Sequence, residues 1–375
     1  QLKGSGLTLY SRQGDGRAVL RSSIREYLMS EAMHGLGIQT SRALALIGSD
    51  TDVARESWEK GAIVLRLSPT WVRFGTFEFF NAHREPGMIQ ELADYVIEES
   101  FPHLVGAESC YLQMFAEIAK NTAVTLAGWQ SVGFNHGVMN TDNMSIDGRT
   151  IDYGPFAFLD DYEANYICNH TDRDGMYRFK RQPSVAKWNL ERLAMAISPI
   201  ANHETALAVL DGVFDDAYED AYKERMTKRL GLFESDADDE SLIQWMLKSL
   251  ENASIDYNLF FRKLSRYDGN KSLVLDIAVN REPLEEWLSA YDNRLLKEKR
   301  TQEKRHEKML AVNPKYILKN HILQEAIDKA KTHDFSMVND LLEVALSPCE
   351  EHLDLEYLAK ATPLSAKNIK LSCSS

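Results

Sequence analysis

The chain has 375 residues, with 43 Lys and Arg against 56 Asp and Glu, a formal charge of −13, and 44% apolar residues. That length supports a large core and two or three domain-sized units, and the acidity argues against a wholesale nucleic-acid binder, which would be basic. Four cysteines (Cys110, Cys168, Cys349 and Cys373), none in a C-x-x-C spacing, point away from a structural zinc site or a disulfide scaffold and towards a reducing compartment. No apolar run reaches the ~18 residues of a membrane span, so neither membrane nor nucleic acid is expected as a partner. The chain starts at Gln1, inside what reads as a structural element, with no signal or transit segment; its natural N-terminus is expected to lie upstream.

Residues 1–17 (QLKGSGLTLYSRQGDGR) are Gly-rich, polar and basic. Residues 20–33 place Leu20, Ile24, Tyr27, Leu28 and Ala32 on one side of a helix, and Gly35 and Gly37 suit its end. Short apolar runs at 42–47 and 62–67 predict strands, joined by the polar stretch 49–60. Helical spacing follows at 88–97 and at 111–129, the latter with Leu112, Phe115, Ile118, Ala119, Val124 and Ala127 in its stripe. Residues 133–160 are Gly- and Asn-rich, with β-like pieces at 144–146 and 150–151. After about residue 185 nearly everything predicts helix, including 188–196, 203–221, 242–250, 284–296 and 317–331. The acidic run 234–240 reads as a loop and helix start, with carboxylates near the positive helix end. The mixed run 297–308 reads as a solvated helix face laced with i,i+4 pairs. There is no internal repeat.

Chemistry concentrates between His136 and Asp152. The run His136-Gly-Val-Met-Asn-Thr-Asp142-Asn143 is followed by Asp152-Tyr153-Gly154. Phosphoryl or nucleotidyl transfer needs a divalent metal to neutralise phosphate charge, and Mg²⁺ takes hard oxygen ligands, one or two of them carboxylates. Asn143 and Asp152 supply such oxygens from two loops flanking a short hairpin. Asp142 suits the base that orients or deprotonates a hydroxyl. Kinases arrange a catalytic-loop Asp and Asn before an Asp-Phe-Gly in the same way. Either motif alone is an ordinary turn; the combination, after a long helix and before a helical half, carries the reading. His136 reads as an organiser of its loop.

Upstream, Lys3 in Leu-Lys-Gly-Ser-Gly could be the strand lysine that reaches phosphates. Glu26 could be its helix partner, or N3 of a capping box begun by Ser23; the Gly-rich context of Lys3 favours the ion pair. Gly14-Asp15-Gly16-Arg17 is a turn whose amides could approach phosphate, or a common hairpin turn. Arg66 and Arg73 flank Ser68-Pro69-Thr70 and could clamp a polyphosphate, although isolated arginines are usually surface residues.

The segments QLKGSG, YSRQGDGRAVLRSSIREYLMSEAMHGLGI, RLSPTWVRFGTFE, NHGVMNTDNMSIDGRTIDYGPFAFLD and NPKYILKNHILQEAI, with the terminal Ser-Cys-Ser-Ser, closely resemble the selenoprotein O (SelO) family along essentially the whole chain. The resemblance implies an α+β, protein-kinase-like bilobal fold, with an incomplete N-lobe at 1–67 and a large helical C-lobe at 68–375. It implies a protein adenylyltransferase that uses ATP and Mg²⁺ or Mn²⁺ to move AMP onto Ser, Thr or Tyr hydroxyls of proteins, releasing pyrophosphate. ATP would be flipped relative to kinases, with the α-phosphate facing the acceptor. By matching motif, Lys3, Asp15, Gly16, Arg66, Arg73 and Asp152 are expected to contact ATP, Asp142 to be the base, Asn143 and Asp152 to hold metal, and Glu26 to pair with Lys3. Some eukaryotic relatives carry selenocysteine at the position of Cys373, which raises a redox pair of Cys373 with Cys168. The alternatives are a γ-phosphate kinase and a non-catalytic nucleotide-binding scaffold. Ordinary protein kinases separate the two roles as Asp-x-x-x-x-Asn, whereas Asp142 and Asn143 are adjacent. The expected compartment is the bacterial cytoplasm, or the mitochondrion for a eukaryotic chain.

Overall fold

The computed structural model describes residues 1–8, 11, 14–367, 369 and 371. Its N-terminal part is built on a long hairpin. Strands β1 (Leu2–Lys3) and β2 (Ala18–Val19) precede helix α1 (Leu20–Gly35) and the hairpin strands β3 (Arg42–Ala54) and β4 (Trp58–Leu67). β4 is the centre of this antiparallel sheet. β3 runs along one edge from Arg42↔Leu67 to Ala54↔Trp58, while β1 (Leu2↔Leu65) and β2 (Ala18↔Ala62) share the other edge. The stretch 49–60, expected as a polar connector, is therefore mostly strand. Residues 48–52 are all exposed, so this end of the ribbon is held by backbone pairing and shows no apolar alternation that a sequence pattern could detect.

The helical remainder opens with α2 (Phe74–Ala82), α3 (Pro86–Ser100) and α4 (Cys110–Val132). A loop-rich segment follows α4, carrying the small antiparallel pair β5 (Phe134–Asn135) and β6 (Ala157–Phe158). Then come α5 (Gln182–Ala196) and α6 (His203–Leu230), and these helices share one core with α1. A second core gathers around the end of α6 from α7 (Asp239–Ala253), α8 (Tyr257–Leu264), α9 (Ser272–Leu275), α10 (Glu282–Leu295) and α11 (Gln302–Leu310). Finally α12 (Asn320–Ala330) and α13 (Ser336–Leu346) return to the first core, where α13 packs on α1. Sheets and helices are thus segregated, the α+β class. Among the described residues no helix is long and apolar enough to cross a membrane.

Two expectations change here. The run 297–308 is only partly a solvated helix face. Thr301 caps α11 by accepting from the Lys304 amide, and Arg305 is buried, donating to the Tyr267 carbonyl at 2.6 Å and the Tyr291 hydroxyl at 3.3 Å. Helix α12 starts at Asn320 rather than 317, because Tyr316, Ile317 and Leu318 are buried in extended chain, with the Lys315 and Tyr316 amides both donating to the Pro348 carbonyl. The acidic run behaves as expected. It leads into α7, with Asp239 buried against Arg294 and with Asp236 and Glu234 paired to Lys297 and Lys299.

The contact of α1 with α13 depends on a missing side chain. A Cβ added to Gly35 would lie 2.0 Å from the Ala345 carbonyl oxygen and 3.0 Å from the Pro348 ring. Gly35→Ala is therefore expected to cost about 1–3 kcal/mol and to lower the thermal midpoint. Gly48→Ala, whose Cβ meets nothing within 4 Å, should stay within about 0.5 kcal/mol of the parent. Equal midpoints for the two variants would contradict this packing.

Candidate active site

The segment 142–152 is clamped between the chain entering β3 and the chain leaving β4. On one side the Ser41 amide donates to the Thr150 carbonyl and the Thr150 amide to the Gln39 carbonyl, each at 3.0 Å. The Trp129 indole of α4 donates to the Thr150 hydroxyl at 2.9 Å. On the other side the Phe74 amide donates to Met144 and the Ile146 amide to Val72, again at 3.0 Å. Within the segment Met144 bridges to Thr150, the expected small hairpin. These bonds return both of its ends to the foot of β4, where Arg66 sits.

There Asp152 gathers three cations. Lys3 and Arg66 share one carboxylate oxygen, with Arg66 at 3.1 Å, and Arg73 reaches the other at 3.3 Å. Glu26 of α1 accepts from Lys3 and, at 2.7 Å, from Arg66. Both Glu26 and Arg66 are buried, and the Arg66 guanidinium lies 4.8 Å over the Trp71 ring. Burial alone would lift the Asp152 carboxyl. Lys3, then Arg66 and Arg73, outweigh it and hold the group well below the usual carboxylate range. Asp152 has φ 64°, a region few residues other than glycine occupy. The alternatives for Glu26 are now separated. Val19 is the N-cap of α1, so Ser23 and Glu26 lie inside the helix and form no capping box.

Arg73 ties this cluster to the expected base, since the nitrogen that meets Asp152 also donates to the Asp142 carbonyl at 2.6 Å. The Asp142 carboxylate lies against the first turn of α2, where a Cβ on Gly75 would fall 2.1 Å from its oxygen. This is the positive end of the helix, favourable for an anion. Asn143 donates its amide nitrogen to the Val138 carbonyl at 2.9 Å, which leaves its oxygen as the group available to a cation. His136 is buried, stacks on Trp129 at 5.2 Å and accepts from the Val138 amide at 3.4 Å. Burial lowers its pKa, and its ring serves the loop.

Asp15 and Gly16 do not join the cluster. They sit on a turn tied to the Lys3 strand through the Gly6 amide and the Gly16 carbonyl at 3.1 Å. With Arg17 and Arg55 they line an open hollow of about 560 Å³. Cys168 is buried beside Asn135 and Gly137, far along the loop from the charges. Asn169 bridges to Leu371, which packs with Cys168, while Cys373 lies outside the described residues.

Residues 1–346 match the family model of protein adenylyltransferase SelO. The chain belongs to the SelO family. It is 46% identical to the protein nucleotidyltransferase YdiU of Photobacterium profundum, over all of this chain and 78% of that one. Identity is 47% to the protein of the same name in Aliivibrio salmonicida and 46% to that in Myxococcus xanthus, each over the whole chain and 77% of the relative.

Within this SelO chain the described residues contain no group of three or more His, Cys, Asp or Glu fit to hold a metal by themselves. Asn143 and Asp152 are oxygen donors of the type Mg²⁺ takes together with water and phosphate, and both Asp152 oxygens are engaged here by Lys3, Arg66 and Arg73. Sequence reasoning missed three contributors: Gly75, Arg55 and Gln1, the last accepting a hydrogen bond from Arg66 through its side chain. Only Arg55 carried a signal, as the basic residue at the end of an acidic and polar stretch.

Arg55 sets the charge of Asp15. It donates to both carboxylate oxygens at 2.9 and 3.0 Å, and with the Arg17 amide it holds the carboxyl at about 2. A carboxyl lowered on folding contributes stability above its unfolded pKa of about 3.9 and loses it as pH falls towards the folded value. Arg55→Ala should move the Asp15 titration upwards, towards the ordinary range, in a carboxyl-carbon NMR titration. An unmoved midpoint would disprove the pairing.

Proposed function

We propose that the chain is an ATP-dependent protein adenylyltransferase whose residues 1–67 and 68–375 act as the small and large lobes of a kinase-like fold, with ATP held between them. The observation that carries this reading is the coupling of Lys3, Arg66 and Arg73 to Asp152, with Arg73 also gripping the Asp142 backbone. Three cations against Glu26 and Asp152 leave net positive charge in a chain of −13, a setting for polyphosphate. Arg66 Nε is buried with no hydrogen-bond partner among the described residues, a donor that a phosphate oxygen would satisfy.

In this reading the acceptor hydroxyl of a Ser, Thr or Tyr gives its proton to the Asp142 carboxylate as its oxygen attacks the α-phosphorus of ATP. The bond from that phosphorus to the oxygen bridging to the β-phosphate breaks, and pyrophosphate leaves. Arg66 and Arg73 hold the outer phosphates of the flipped nucleotide and stabilise the charge that grows on them, which is electrostatic catalysis by preplaced groups. Lys3, kept in line by Glu26, adds a further cation, and Asp15 and Gly16 meet the nucleotide from their turn. Mg²⁺ or Mn²⁺ bound at Asn143 and Asp152 would neutralise phosphate charge. The bacterial cytoplasm supplies both ATP and protein acceptors.

Purified protein incubated with ATP labelled at either the α- or the γ-phosphate should place only the α-label on protein. Label from the γ-position alone would identify a kinase, and label from neither a scaffold. Asp152→Ala is expected to lower α-label transfer at least ~100-fold, the scale of losing one charge-stabilising group, and to abolish metal-dependent ATP binding by calorimetry.

We further propose that Cys168 and Cys373 form a redox pair, a reading supported by the tail running alongside Asn169. Alkylation mapping under oxidising conditions should find both thiols protected. Modification of both would end the proposal.

A further inference from the structure

A groove of about 420 Å³ opens between α2 and α5, and Asp142 forms part of its wall. None of Lys3, Arg66, Arg73 or Asp152 lines it. Residue 142 therefore links the groove to the cation cluster. It lines the groove beside Gly75, against which its carboxylate lies, and its carbonyl is held by Arg73 of the cluster. An acceptor hydroxyl has to reach that carboxylate without displacing the nucleotide, and the groove is a route that does so.

The groove has the chemistry of a peptide seat. Phe79 of α2 and Met195 of α5 are 49% and 44% exposed, and both line it. Single exposed apolar side chains are ordinary; two facing one groove beside the base are not scattered. The charges among them are already partnered. Glu78 accepts from Arg192 at 3.1 Å and from Thr141, so apolar contact is left to discriminate between acceptors. Trp188, also 44% exposed, continues the stripe, since residues 188, 192 and 195 share one face of α5 by i, i+4 and i+7 spacing.

We infer that this groove seats the acceptor protein, as a segment carrying an apolar side chain close to the modified hydroxyl. The inference rests on the adenylyltransferase reading and adds its acceptor specificity. Phe79 and Met195 bind the segment, Asp142 receives the hydroxyl at the end of the groove, and the Glu78–Arg192 pair keeps the two helices at a set spacing.

The test uses a positional library of peptides, each with one central Ser, Thr or Tyr, and ATP labelled at the α-phosphate. The parent protein should prefer peptides with an apolar residue near the hydroxyl. Phe79→Ala and Met195→Glu should each raise the acceptor KM roughly 10-fold, the worth of one buried apolar side chain, with that preference lost and the Kd for ATP within about twofold. A rise in KM with kcat retained marks lost binding rather than lost chemistry. Both side chains are about half exposed, so these variants should fold, and Met195→Leu should restore the preference. Labelled peptides with unchanged KM and unchanged preference in both variants would overturn the groove alone. Absence of α-label on every peptide and protein would overturn the adenylyltransferase reading, and the groove with it.

Discussion

A carboxylate withdrawn from water keeps its charge only if cations stay beside it. Asp152, with 26% of its side chain exposed, is partly in that position, and Lys3, Arg66 and Arg73 come to it from β1, β4 and the chain that leads into α2. Glu26 meets the same need from the other side, because Arg66 is itself buried. Burial pulls its guanidinium down, and Glu26 and Asp152 more than restore it. Removing any one partner would strand a charge, so the cluster is ordered as a unit.

The architecture around it can be understood as what holds those groups in register. β4 carries Arg66 and pairs with β1, which sets Lys3 next to it through the register Lys3↔Val64. Helix α1 presents Glu26 and is itself pressed on α13 through Gly35. The 142–152 segment is pinned on both flanks by backbone hydrogen bonds and below by Trp129. The unusual backbone of Asp152 is sustained by this surrounding structure, as strained residues at functional sites generally are.

Asp142 joins the cluster to the helical half. Its carbonyl belongs to Arg73 and its carboxylate to the first turn of α2, where only a glycine at position 75 leaves it space. A movement of α2 would therefore be felt at Asp142. That coupling gives the groove between α2 and α5 a physical link to the chemistry.

The residues proposed for the site stand out in the order of residues. Asp142, Asn143 and Asp152 are the side-chain types that metal and base chemistry would demand, and a run of them after a long amphipathic helix is a local pattern. The helix from residue 20 and the helical second half follow from apolar periodicity, which is also local. The far half of the β3–β4 ribbon was not readable, since its pairing is made by backbone groups that every residue carries. For Glu26 the local pattern alone left a capping box and an ion pair open, with the context of Lys3 favouring the pair, and the start of α1 at Leu20 removes the capping box. Gln1, Arg55 and Gly75 entered the site through contacts between distant parts of the chain, and so did the burial of Arg305. The sequence by itself determined which chemistry this protein carries and the family to which it belongs. The tertiary structure alone decided which charges neutralise one another and where a groove meets Asp142, because those depend on distances between residues that no local pattern encodes.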